Sequence, residues 1–176
     1  MRAVQTDIRQ YDDGMSTTDR STPFAGRGHD HARCVADALD AAAEVCQRIG
    51  ARLTPLRQRV LELVWQSHKP VGAYDLLNAL GRERDRVAPP TVYRALDFLV
   101  EHGLVHRIDS LNAFVGCAYP DANHRAYFLI CDGCGSAAEI DDTQLGRALE
   151  RSARDAGFTT RREVVEITGL CPGCRA

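Results

Sequence analysis

The sequence predicts an α+β protein of two lobes, a winged helix-turn-helix followed by a small α/β lobe. Three observations carry this. Four stretches of helical apolar period lie between residues 35 and 103, and the period switches to two directly after Gly103. Two CxxC pairs then enclose a strand, helix, strand pattern. A chain of 176 residues is long enough to bury two small cores.

Residues 1–32, rich in Asp, Ser, Thr and Gly, read as a mobile arm. His29, His31 and Cys34 form a ligand-rich run at its end, but a polar arm is the preferred reading and the run is left out of the ligand set. A first helix follows from Val35, Leu39, Ala42, Val45, Cys46 and Ile49, stopped by Gly50. Thr54 and Pro55 supply an N-cap and a first-turn proline for a second helix ending near Ser67. A third helix carries Tyr74, Leu76, Leu77 and Leu80 and should stop near Gly81. Pro90 opens a fourth, with Val92, Leu96, Leu99 and Val100 inward as far as Gly103.

The hairpin that makes the wing is Leu104 to Asp109 and Ala113 to Cys117 around Ser110, Leu111 and Asn112. In the second lobe we expect a strand from Ala126 to Ile130, another from Ser136 to Ile140, a helix from Asp142 to Asp155 and a strand from Thr159 to Thr168. The domain division is therefore arm 1–32, winged helix 33–117 and second lobe 118–176.

No apolar stretch approaches the roughly 20 residues a membrane helix needs. The first thirty residues lack a secretory apolar region, so a cytoplasmic location is the default expectation. Charge is uneven: residues 48–107 carry ten Lys/Arg against six Asp/Glu, whereas residues 1–47 carry five against eight. A positive middle suits a lobe that meets phosphate, and a solvated basic face is the ordinary alternative.

Cys131 and Cys134 with Cys171 and Cys174 form two thiolate pairs able to complete a tetrahedral zinc shell, with Gly133, Gly135, Pro172 and Gly173 supplying tight turns. Four thiolates leave no open position, so this zinc is structural. A redox CxxC is the rival, but no thioredoxin-like βαβ pattern surrounds either pair, and no catalytic residues are assigned. His106, Cys117, His124 and Glu139 bracket the junction of the lobes and offer the mixed nitrogen, sulfur and oxygen donors that Zn²⁺ accepts. Taken singly, each also reads as an ordinary surface histidine, buried cysteine or surface glutamate.

At the start of the fourth helix, Thr91 and Arg94 are placed where recognition helices present side chains to base edges. Tyr74 can reach base methyls or backbone, and Arg52, Arg57, Arg82, Arg84, Arg86 and Arg107 are phosphate candidates. Tyr93 is read as core or inter-helix packing.

The segments Leu53 to Arg59, Tyr74 to Leu77, Pro89 to Leu96 and Gly103 to Val105, with both CxxC pairs, resemble the Fur superfamily over roughly residues 35 to 174. The resemblance implies an N-terminal winged helix that binds a palindromic double-stranded operator and a C-terminal lobe that dimerises around structural zinc. It also implies a second, exchangeable metal near the hinge. The stretch 121–128 holds a single histidine, His124, where iron-responsive members typically carry a histidine-rich run. The chain is more similar to the zinc uptake regulators, which implies His106, Cys117, His124 and Glu139 as sensing ligands and two Zn²⁺ per chain. Repression of zinc-uptake genes by a zinc-loaded homodimer is the implied function; a sensor of iron, manganese, nickel or peroxide on the same fold is the alternative. Neither an enzyme nor a membrane protein is implied.

Overall fold

The computed structural model describes residues 23–24, 30–83, 87–120 and 124–175. Arg84, Arg86, His29 and most of the expected arm lie outside them.

Helix α1 (His31–Arg48) opens four residues before the apolar pattern begins, because the Asp30 carboxylate accepts from the Arg33 N–H at 3.2 Å and caps it. Its first turn therefore takes in His31, part of the segment read as arm. Helix α2 (Pro55–Trp65) starts where expected, with the Thr54 hydroxyl accepting from the Arg57 N–H at 3.4 Å. A two-residue strand β1 (Val71–Gly72), too short to show a period, precedes helix α3 (Ala73–Glu83). Gly81 does not end α3. The helix continues because Arg59 of α2 pairs with Glu83, Nη2 to Oε1 at 2.5 Å and Nε to Oε2 at 2.8 Å, and secures the last turn. Helix α4 (Pro89–Glu101) uses its two leading prolines in place of a side-chain cap, and it ends at Gly103, whose φ of 66° lets the Leu104 N–H reach the Leu99 carbonyl at 2.8 Å.

The wing consists of β2 (Val105–Ile108) and β3 (Ala113–Gly116), paired antiparallel with His106 opposite Val115. β1 adds to the other edge of β3, giving the order β1-β3-β2. One core unites α1 to α4 with this sheet, centred on Leu61, Leu80, Leu96, Leu99 and Val105, each at most 1% exposed.

In the second lobe β4 (Tyr127–Cys131) lies between β5 (Ala137–Ile140), antiparallel, and β6 (Glu166–Gly169), parallel. Helix α5 (Thr143–Asp155) is capped by Asp142, whose carboxylate accepts from the Gln144 and Leu145 N–H groups. The strand expected from Thr159 shrinks to β6. Residues 159–165 are instead fixed mainly by side chains: Arg162 pairs with Asp109 at 2.7 Å, and Glu163 accepts from the Tyr127 hydroxyl at 2.5 Å.

The lobes share a second apolar cluster. Ile108 and Val115 of the wing pack with Phe128, Ile130 and Ala137 of the second sheet, and Ile108 is fully buried. The Glu166 carboxylate accepts from the backbone N–H groups of Asp109 and Ser110 at 2.6 and 3.1 Å, so β6 holds the wing's turn. Hydrophobic burial and charge-assisted hydrogen bonds thus both contribute to the contact between the lobes.

Gly116 marks how tightly the wing is packed. A Cβ there would lie 2.1 Å from Cε2 and 2.2 Å from Nε1 of the Trp65 indole. Gly116→Ala is expected to cost about 1–3 kcal/mol through overpacking, read as a lowered urea midpoint at unchanged m-value.

Candidate metal centres and nucleic-acid surface

The four cysteines of the CxxC pairs meet at one end of the second sheet. Cys131 closes β4, Cys134 follows in its knuckle, and Cys171 and Cys174 form a matching knuckle after β6. Backbone turns shape both, with the Gly135 N–H bonded to the Cys131 carbonyl at 2.8 Å and the Cys174 N–H to the Cys171 carbonyl at 3.0 Å. All four sulfurs lie within 4.8 Å of one another. Cys134 Sγ and Cys171 Sγ are 3.8 Å apart. That rules out a disulfide there, whose S–S bond is about 2.05 Å. It matches the edge of a tetrahedron with zinc–sulfur bonds of about 2.3 Å, which is about 3.8 Å. Backbone N–H groups of Cys171 and Cys134 hold the Cys131 thiol below its ordinary value, which favours the thiolate form that binds metal. The donor set and its spacing fit Zn²⁺ with no position left for substrate.

The second ligand set is assembled from four separate places. His106 stands on β2, Cys117 directly follows β3, His124 lies on the connection between the lobes and Glu139 stands on β5. Strand alternation turns His106 away from the first core and towards Phe128, 5.4 Å between ring centroids. Glu139 is paired in register with Phe128, which brings it to the same seam. The Cys117 sulfur is 3.6 Å from His124 Nε2, which also contacts Glu139 Oε1, and His106 Nε2 is 3.2 Å from that same oxygen. The other Glu139 oxygen accepts from the Ala118 N–H at 2.9 Å. The side chains of His124 and Glu139 are 5% and 4% exposed, so bulk water does not compete for these donors.

Electrostatics fit a cation here. Burial, and then the nearby Glu139 charge, push the Cys117 thiol up to about 12. Burial pushes Glu139 upward too, but His106, the Ala118 N–H and His124 outweigh it and hold the carboxyl below its ordinary value. His106 Nε2 is shielded from solvent and, despite its distance to Glu139, is not aligned for a hydrogen bond. Two imidazoles, a thiol and a carboxylate around one point suit a borderline-soft divalent ion such as Zn²⁺.

The residues assigned to DNA are spread over one lobe. Thr91 and Arg94 are exposed on the first turns of α4, and Tyr74, 73% exposed, begins α3. Tyr93 stands between them at 54% exposure, so its reading as core or inter-helix packing is corrected: α4 turns Val92, Ala95 and Leu96 inward, and that phase leaves Tyr93 outside. The exposed large aromatic was the feature sequence reasoning missed. Arg52 is exposed, whereas Arg57 is half-buried with its guanidinium 3.4 Å above the Phe98 ring and Nη1 bonded to the Arg52 carbonyl at 2.6 Å. Arg57 therefore braces α2 against α4.

A winged helix joined to a cysteine-closed α/β lobe, with a mixed-donor pocket at their seam, defines a metal-dependent regulator. The chain belongs to the Ferric uptake regulator family, whose profile it matches over residues 48–168. It is 39% identical over 137 residues to the zinc uptake regulation protein of Escherichia coli (strain K12), covering 77% of this chain and 80% of that protein. Its structure is similar to that of a zinc uptake regulator complexed with zinc and DNA, at a TM-score of 0.75 and 38% identity, covering 80% of this chain and 95% of the other. Holo XcZur is similar as well, at a TM-score of 0.72 and 46% identity over 79% and 97% of the two chains. Among the described residues no helix is long and apolar enough to cross a membrane.

Proposed function

We propose that this protein is a zinc-responsive repressor of zinc-uptake genes that binds a palindromic operator as a zinc-loaded homodimer, with one structural and one regulatory zinc per chain. The observation that carries the regulatory part is the convergence of His106, Cys117, His124 and Glu139 from both lobes onto one buried point. Zinc bound there would supply a bond network linking all four side chains. His106 moves with the recognition helix, because β2 follows α4 directly and shares its core. Glu139 moves with the second lobe through β5. Holding the two together fixes the aim of α4. In a dimer this sets whether two recognition helices reach successive major grooves, about 34 Å apart.

A second copy has a surface to use. β6 is an edge strand, and Phe158, Val164, Ile167 and Leu170 around it are between 47% and 68% exposed. An open strand edge rimmed by large apolar side chains is a self-association surface. Tyr74, Thr91 and Arg94 are assigned to DNA, with Arg52 on phosphate and Arg57 as their brace.

The test is fluorescence anisotropy with a duplex selected in vitro by the zinc-loaded protein, titrated separately with buffered Zn²⁺, Fe²⁺, Mn²⁺ and Ni²⁺. Binding should respond to zinc at far lower free metal than to the other ions and should weaken steeply with salt. An equal or stronger response to iron, manganese or nickel contradicts the zinc assignment. On the same duplex Arg94→Ala should lose about 1–3 kcal/mol of affinity and relax sequence preference at one base pair in each half-site.

A further inference from the structure

We propose that His31, Cys34 and His68 form a third zinc site, distinct from the four-cysteine centre and from the hinge pocket. Their ligand atoms all lie within 4.8 Å of one another. His31 and Cys34 are three residues apart in the first turn of α1, which puts them on one helix face. His68 comes from the turn between α2 and β1, and its ring meets that of His31 at 5.0 Å between centroids and 64° between planes. All three side chains are half-buried, and both ring nitrogens of His31 are shielded from solvent. The Asp30 cap and the turn after Trp65 thus bring an imidazole, a thiol and a second imidazole to one point from two elements far apart in sequence.

Two imidazoles and one thiolate are a donor set zinc prefers, and three protein ligands leave a fourth position for water. Such a site exchanges its metal. On binding, the Cys34 proton leaves to the buffer as the zinc–sulfur bond forms. Edge-on packing of His31 against His68 alone needs no thiol, so substitutions at Cys34 separate packing from ligation.

The location gives the site a consequence. The His68 carbonyl accepts from the Ala137 N–H at 2.9 Å, and Ala137 opens β5, three residues after Cys134 and two before Glu139. A metal gripping His68 and the start of α1 would therefore fasten α1 to the turn that already holds the second lobe. This inference does not rest on the hinge pocket being the zinc sensor.

The experiment is equilibrium dialysis of the full chain against buffered Zn²⁺, with zinc per chain read by mass spectrometry of the metal. Three zinc ions are expected for the unsubstituted chain, two each for Cys34→Ser, His31→Gln and His68→Gln, two for Cys117→Ser, and one for Cys34→Ser combined with Cys117→Ser. As a second readout, Co²⁺ added to the Cys117→Ser chain with zinc kept in the four-cysteine centre should give a thiolate-to-cobalt absorption band that Cys34→Ser removes. An unsubstituted chain that saturates at two zinc ions, with Cys34→Ser also holding two, overturns the third site. Loss of zinc from Cys34→Ser but not from Cys117→Ser would uphold it while removing the metal from the hinge.

Discussion

Cys131→Ser is expected to unfold the C-terminal lobe while leaving the winged helix folded. Structural zinc in small domains contributes about 10–16 kcal/mol of apparent binding free energy, as much as or more than the whole stability of an ordinary domain, about 5–15 kcal/mol. The second lobe has little else. Its own cluster comprises Phe128, Ile130 and Ala137 with Ile108 borrowed from the wing, and a zinc held by the four cysteines would join the end of β4 to the chain beyond β6. Cys131 is also 1% exposed and accepts the Cys171 N–H at 3.3 Å, so its loss removes a ligand and a tie between the knuckles together. The first core, drawn only from α1 to α4 and the wing, contains no residue of the second lobe. Circular dichroism should therefore retain most of the helical signal while the proposed homodimer falls to the mass of one chain in sedimentation. A chain that remains dimeric and cooperatively folded after this substitution would show that the four cysteines are not a folding clamp.

Cys117→Ser should act in the opposite way, abolishing the response to zinc without harming the fold. Cys117 is buried between the lobes, but among the described residues its thiol accepts the Tyr119 N–H at 3.4 Å and contacts His124, with no other hydrogen bond. Serine preserves the volume closely and offers a poor zinc ligand at neutral pH. An allosteric coupling of about 1–3 kcal/mol corresponds to roughly 5- to 150-fold in affinity, and that zinc-stimulated gain should disappear. Thermal unfolding of the zinc-free protein should move little, since apolar packing of Ile108 and the Glu166 bonds to the wing's turn remain. Zinc-stimulated binding that survives the substitution would remove Cys117 from the sensing site.

Much of the fold was legible because its signals are local. Thr54-Pro55 and Pro90 announce two helix starts, the latter one residue after the observed start at Pro89, Gly103 ends α4, and the period-two run after it is the wing. Where the sequence misled, a contact distant in the chain decided. The Arg59 to Glu83 ion pair carries α3 past Gly81, and Arg162 and Glu163 are committed to Asp109 and Tyr127 instead of to a ladder. The two candidate ligand sets differ in the same respect. CxxC spacing encodes a knuckle by itself, whereas His106, Cys117, His124 and Glu139 share no spacing rule and meet only because β2 and β5 face one seam. Their selection came from family resemblance and from donor chemistry. His68 had no sequence signal at all, being separated from Cys34 by the whole of α2 and most of α1.

In the proposed mechanism a metal held by the seam residues sets the orientation of α4 for DNA. This is tested most directly by measuring zinc occupancy of the hinge pocket and duplex affinity on the same samples across a free-zinc series. Cys34→Ser serves as the background, so that the hinge holds the only exchangeable zinc. Affinity should rise in step with that occupancy and reach its plateau at the same free zinc. Full affinity with the hinge pocket empty, or no gain as it fills, would contradict the account.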